Sequence, residues 1–284
     1  MLFLIAGLLC SAMVSIVLKA SSRWEYDRYF MLAINYMACL IPFIISRIGQ
    51  PSPAINKDFG LCIIFAAING FLYLAGMVMN QVNVRRNGAI LQSTFSRLGV
   101  MVPTCLSIIF FGERPSAKEA IGIIIVLVAF CIMNIPQERT ETRKEHQKPV
   151  FTLLILGLLF NGIVDSFLKV FEEFGSQSLN DWFMGFTFIF ASLICFTIAI
   201  AKKGRIGKKE IVVGLSLGIP NYLSSLFLLK SLSDVSAYIA YPTYSVGAIL
   251  VVIAASTFIF RERITKWCMI SIALIIPAIL LLNL

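Results

Sequence analysis

Runs of apolar residues about twenty positions long, parted by short polar connections, set the rhythm of this chain from end to end. A hydrocarbon layer roughly 30 Å thick takes about 20 helical residues to cross, because the backbone must satisfy its own hydrogen bonds there. Applied along the sequence, that ruler predicts ten spans. They run from Leu2 to Ala20, Tyr29 to Ser46, Phe59 to Met79, Ala89 to Phe111, Ala117 to Ile135, Val150 to Phe171, Trp182 to Ala201, Ile211 to Leu229, Ala237 to Phe260 and Trp267 to Leu284. The longest polar stretch, "PQERTETRKEHQKP" from Pro136 to Pro149, parts the fifth span from the sixth. The organisation expected is therefore a five-helix unit over 1–135, a charged linker over 136–149 and a second five-helix unit over 150–284.

The two units echo each other. "FFGERPS" at Phe110 to Ser116 returns as "IFRERIT" at Ile259 to Thr265, 149 positions later, and the apolar runs that follow end on Asn134 and Asn283 at the same offset. "SIVLKA" at Ser15 to Ala20 answers "DSFLKV" at Asp165 to Val170, and "STFS" at Ser93 to Ser96 answers "PTYS" at Pro242 to Ser245. Four matches at nearly one offset indicate duplication. An odd number of spans per unit makes the second copy enter the membrane in the opposite sense, the arrangement found in secondary transporters. The fold class read from this is an all-α integral membrane protein, ten transmembrane helices as two inverted five-helix repeats.

Composition agrees: 58% of residues are hydrophobic and 14% charged, and the mean hydropathy is +0.88, too apolar for a soluble domain of this length. The net charge of +9 does not point to nucleic acid, because the basic residues scatter among short connections. They act as orientation signals instead. The connections after spans 1, 3, 5, 7 and 9 hold 17 Lys and Arg against five in the others. That asymmetry places them on the cytoplasmic side of the cell membrane and both termini outside. The first span lacks a basic leader and a small-residue cleavage site, so it is expected to stay as a helix.

Little in the sequence serves a membrane enzyme. There is no GxSxG, HExxH or phosphate-binding loop pattern. The seven cysteines all fall in apolar runs without CxxC spacing and are read as buried thiols, and His146 belongs to the linker. No metal site and no cofactor are expected.

At the turn the residues carry a family resemblance. The stretch from Leu98 to Asn134, "LGVMVPTCLSIIFFGERPSAKEAIGIIIVLVAFCIMN", is similar to the last two helices of small multidrug resistance proteins. The whole chain resembles the EamA type of the drug/metabolite transporter superfamily, two fused and oppositely oriented copies of such a unit. The resemblance implies transport and leaves the substrate open. Carried over by position, the essential membrane glutamate of the small proteins falls on Ser11 in the first repeat and Asn161 in the second. Their substrate-contacting tyrosine and tryptophan fall on Gln92 and Phe95, and on Tyr241 and Tyr244. The resemblance thus implies an aromatic-walled pocket without the proton switch at its usual place.

Charges inside spans each cost about 2.5 to 3.5 kcal/mol at the helix centre on the insertion scale. Arg97 lies near the middle of span 4 and reads either as a structural partner for a carboxylate or as a clamp for an anionic substrate group. Asp165 shares a helix face with Asn161 and Lys169. It reads either as the ion-pair partner of Lys169, or as a partner of Arg97 or proton carrier displaced one turn from the usual glutamate. Asn35, Tyr36, Asn69, Tyr73, Asn221, Tyr222 and Tyr238 complete the intramembrane polar set, expected mainly in interhelical bonds and interfacial belts. Tyr241 and Tyr244, beside Pro242, are expected to face a cavity.

The sequence reading is a transporter alternating access around a cavity lined by spans 3, 4, 8 and 9 and by one face of spans 1 and 6. Its partners are the lipid bilayer, a small polar solute of amino-acid-like, zwitterionic or anionic character, and a possible coupling proton. A proton-coupled exporter of lipophilic cations using Asp165 is the alternative within transport; a non-transporting scaffold or lipid-modifying subunit is the alternative outside it.

Overall fold

The computed structural model describes residues 1–21, 24–51, 53–87, 92, 95–96, 98–133, 150–202, 206–259, 261 and 264–283. Arg97 and the 136–149 linker with His146 lie outside the described residues. Among those described, the chain forms ten α-helices and one 3-10 turn and no strand. The helices are α1 (Leu2–Ala20), α2 (Arg28–Arg47), α3 (Lys57–Asn87), α4 (Met101–Phe110), α5 (Ala117–Met133), α6 (Phe151–Phe174), α7 (Asn180–Ala201), α8 (Lys208–Leu232), α9 (Ala237–Phe258) and α10 (Lys266–Asn283). Eight are long and apolar enough to cross a membrane. Of the remaining two, α5 has 17 residues and α4 is the described end of the fourth apolar run.

Helix ends are fixed by local chemistry. Asp27 caps α2, its carboxylate accepting from the backbone N–H groups of Tyr29 at 2.9 Å and Phe30 at 3.2 Å. Before α5, the Ser116 N–H donates to Glu119 while the Glu119 N–H donates to the Ser116 hydroxyl, a reciprocal capping box. The repeated turn has a repeated backbone: Gly112 has φ +68° and Arg261, its equivalent 149 positions on, has φ +53°. Both enter the left-handed region that ends a helix sharply, which glycine does freely and arginine does at a steric cost.

One helix departs from its expected bounds. The third span was read as Phe59 to Met79, yet α3 continues to Asn87 and, with 31 residues, is about 46 Å long at 1.5 Å per residue. Hydropathy marks its polar tail as a connection. The tail stays helical because its asparagines find partners on the start of α6. Asn83 donates to the Leu153 carbonyl at 2.7 Å, and Asn87 accepts from the Val150 N–H at 2.7 Å.

The most extensive helix pairings follow one rule: adding five to a helix number reproduces the contact. Thus α1 packs on α8 and α9, as α6 packs on α3 and α4; α2 packs on α8, as α7 packs on α3; and α2–α7, α4–α9 and α5–α10 are self-equivalent pairs. This is the inverted repeat in three dimensions. The main pairings join one half to the other, so the two units interleave around a single core. Close approach depends on glycine at equivalent crossings: a methyl on Gly70 would come within 2.8 Å of the Thr187 carbonyl oxygen of α7, and one on Gly218 would overlap Ala38 of α2. The self-equivalent α2–α7 pair is pinned at both ends, by Lys202 over the Tyr29 ring at 4.0 Å and by Arg47 over Trp182 at 5.1 Å.

The centre is aromatic. Phe171 stacks on Phe183 at 3.8 Å, and Tyr36, Tyr73 and Tyr222 surround Phe188. Outward faces are apolar too, as with Ile121, Ile124 and Val128 of α5 and Ile211, Val212, Leu215 and Ile219 of α8, the polarity expected where lipid is the solvent. The cysteines divide, against the expectation that all are buried: Cys39, Cys62 and Cys195 are buried, Cys10 and Cys268 are half-buried, and Cys105 and Cys131 are exposed. An apolar thiol suits a lipid-facing position as well as a core.

The turn geometry sets a prediction. Nothing lies within 4 Å of a methyl built on Gly112, so only its φ matters. Gly112→Ala should cost about 1 kcal/mol, and Arg261→Gly should gain up to about that amount. Thermal unfolding of the purified protein in one detergent reads both, with opposite signs expected.

Candidate functional site

A cavity of about 510 Å³ opens among α1, α6, α9 and the 92–100 segment, within the range of about 300 to 1,000 Å³ usual for small-molecule sites. From α1 come Ser11, Ser15 and Leu18; from α9 Tyr244, Ser245, Ala248, Ile249 and Val252; from α6 Asp165; and from the 92–100 segment Gln92, Ser96 and Val100. These residues line α1 and α9 from their middles toward their C-terminal ends, so the cavity reaches toward the connections that follow α1 and α9. Contrary to the sequence expectation, no described residue of α3 or α8 lines it. Those helices stand behind it: the Tyr73 hydroxyl of α3 and that of Ser225 of α8 lie 3.2 Å apart.

Asp165 is the only charged residue among the described lining residues, and its side chain is exposed to the cavity. Tyr73, Tyr241 and Tyr244 lie within electrostatic reach of it. Tyr241 marks the closed end, since its hydroxyl donates to the backbone carbonyl of Asp165 at 2.7 Å and the residue is only 2% exposed. Three residues on, one helical turn, Tyr244 faces the open space. The expected Asp165–Lys169 ion pair does not form among the described residues. Lys169 points away from the cavity and pairs with Glu113 at 3.3 Å, Glu172 at 2.7 Å and Glu173 at 2.6 Å.

Ser11, Gln92, Asp165 and Tyr244, picked out in the sequence, thus meet in one space. Phe95 and Asn161 line a small adjoining recess with Asn80 and Asn83, and Gln92 and Ser96 border both. In that recess Asn80 and Asn161 exchange hydrogen bonds at 2.9 and 2.8 Å, and Gln92 donates to Asn80 at 3.0 Å. Asn161 is occupied in joining α3 to α6. Asn69, read as an interhelical link, bonds Thr187 of α7 at 3.4 Å, and Tyr238 bonds Glu119 at 3.3 Å. Sequence reading missed Ser96 and Ser245 as lining residues. The signal was there: they are the last residues of the matching quartets "STFS" and "PTYS", so the repeat delivers one hydroxyl from each half. Among the described residues no group of three or more His, Cys, Asp or Glu could hold a metal ion.

Membrane-length helices paired by a two-fold rule around a cavity of mixed polar and apolar lining describe a multi-pass membrane protein. The model of the EamA-like transporter family matches residues 1–135 and 148–284. The chain belongs to that family and so to the drug/metabolite type of membrane transporter. It is 23% identical over 272 residues, 93% of this chain and 91% of the other, to an uncharacterised protein of Haemophilus influenzae. A solved crystal structure superposes with a TM-score of 0.79 at 12% identity, covering 99% of this chain and 98% of that one, a likeness of fold alone.

The asparagine pair gives a prediction. Asn80→Leu or Asn161→Leu alone strands a partner and should cost about 1 to 2 kcal/mol, while the double substitution should cost less than the sum by about 1 kcal/mol. Denaturant unfolding of the four proteins in micelles measures the coupling.

Proposed function

We propose that the protein is a secondary transporter of the cytoplasmic membrane that carries a small polar, amine-bearing solute of amino-acid-like character by alternating access. The observation that carries this reading is Asp165, the charged group of the described lining, standing open at the closed end of a cavity of about 510 Å³. A carboxylate in such a place pairs with an ammonium group through charge-assisted hydrogen bonds, and the Tyr244 ring supplies a face for the same cation. Ser11, Ser15, Gln92, Ser96 and Ser245 provide donors and acceptors suited to a hydrated solute. Leu18, Val100, Ala248, Ile249 and Val252 supply apolar wall for the solute's carbon skeleton, and it is the five polar side chains beside Asp165 that favour a hydrated solute over a lipophilic cation. Arg97, in the same sequence segment, is assigned to the solute's carboxylate when it has one.

Flux tests the reading. Reconstituted protein should show saturable uptake of amine-bearing solutes. Asp165→Asn should weaken apparent affinity by roughly 10- to 100-fold, the worth of a charged hydrogen bond, with protein yield and unfolding temperature preserved. Arg97→Ala should weaken zwitterions and spare simple amines. Uptake of carboxylates that survives Asp165→Asn would overturn the assignment.

The basic residues propose the orientation, with both termini outside. A cysteine introduced between Glu138 and Gln147 should resist membrane-impermeant thiol reagents added to intact cells, and ready labelling there reverses the assignment.

A further inference from the structure

Directly beyond the closed end of the cavity, α6 carries a buried lysine ringed by carboxylates that the solute reading leaves unused. Lys169 is one turn past Asp165 and only 4% exposed. An ammonium taken out of water needs close carboxylates, and three surround it, from Glu113, Glu172 and Glu173. Glu172 and Glu173 belong to its own helix. Glu113 belongs to the turn between α4 and α5, in the other half of the chain.

Glu113 does a second thing. Its two carboxylate oxygens accept from the first backbone N–H groups of α9, Ala237 at 3.1 Å and Tyr238 at 3.2 Å, donors that a helix start leaves without intrahelical partners. One side chain therefore ties the C-terminal end of α6, the N-terminal end of α9 and the α4–α5 turn into a knot. Phe111 covers it, its ring 5.7 Å from the Lys169 ammonium and 6.1 Å from the Phe174 ring. The knot and the Tyr241–Asp165 bond close one face of the protein, and the cavity reaches toward the opposite face.

We propose that the Lys169–Glu113 cluster is the lock that holds one face of the transporter shut while the cavity opens to the α1 and α9 C-terminal ends. The proposal rests on alternating access and is independent of which solute binds. Opening the closed face requires Glu113 to release the α9 start and Lys169 together, so those events are coupled.

Hydrogen–deuterium exchange of ligand-free protein in lipid nanodiscs tests this without any solute, and so separately from the transport reading. Glu113→Gln should speed exchange at Ala237 and Tyr238 by about tenfold or more, because it loosens a buried charged set. It should at the same time slow exchange at the C-terminal ends of α1 and α9. Glu113→Asp, which keeps the charge on a side chain one methylene shorter, should shift both regions in the same reciprocal sense but by less. Exchange that rises at both ends or that changes only at Ala237 and Tyr238 overturns the proposal.

Discussion

A hydrocarbon solvent offers no hydrogen-bond partner, and most of this structure answers that one deficit. Backbone polar groups are satisfied within helices of membrane length. Side-chain polar groups that cannot reach the surface pair across helices: Asn80 with Asn161, Asn69 with Thr187, Tyr73 with Ser225. Lys169, the most costly of them, collects three carboxylates. Exceptions remain in the packed interior, where Asn35 Oδ1 and Asn180 Oδ1 are buried without a hydrogen-bond partner among the described residues, and in the cavity, where Asp165 stands open with its side chain paired to no described basic group. The proposed function places the solute's amine at this last one.

Lipid also removes the usual driving force for bringing apolar faces together, so cohesion comes from close packing and from polar links. The interleaving of the halves serves both. Each repeat lends helices to the other, α1 to α8 and α9, α6 to α3 and α4, and glycines at equivalent crossings let the backbones approach. The scaffold is symmetric while its chemistry is not. Ser15 of the first repeat stands where Asp165 stands in the second, Phe95 answers Tyr244, and Arg23 answers Glu173. Duplication built the frame, and divergence at these positions left Asp165 of the second repeat as the charge of the described cavity lining.

The architecture was legible because periodicity and repetition act on many residues at once. Each of the ten apolar runs holds a helix among the described residues, eight of them long enough to cross a membrane, and the turn repeated in sequence proved repeated in backbone angle. Position by position the reading was less complete, for physical reasons. The tail of α3 reads as a connection until α6 is placed beside it to satisfy Asn83 and Asn87. Lys169 reads as a partner of Asp165 because both share a helix face, but Glu172 and Glu173, three and four positions on and plain in the sequence, take it at 2.7 and 2.6 Å, and Glu113, 56 positions earlier and not locally legible, joins them at 3.3 Å. Spans 3 and 8 were expected to line the cavity, but their polar residues turn toward each other and toward α6 and α7. Ser96 and Ser245 needed only the repeat to be read one residue further.

The central claim is that the cavity recognises its solute through the ammonium group at Asp165. The most direct measurement is ligand-induced thermal stabilisation of the purified protein with three sets of size-matched compounds: amines, zwitterions and carboxylates. The account predicts that amines and zwitterions raise the unfolding temperature in a saturable way and that carboxylates alone do not. Stabilisation by carboxylates without an amine, or by amines equally in the Asp165→Asn protein, would contradict it.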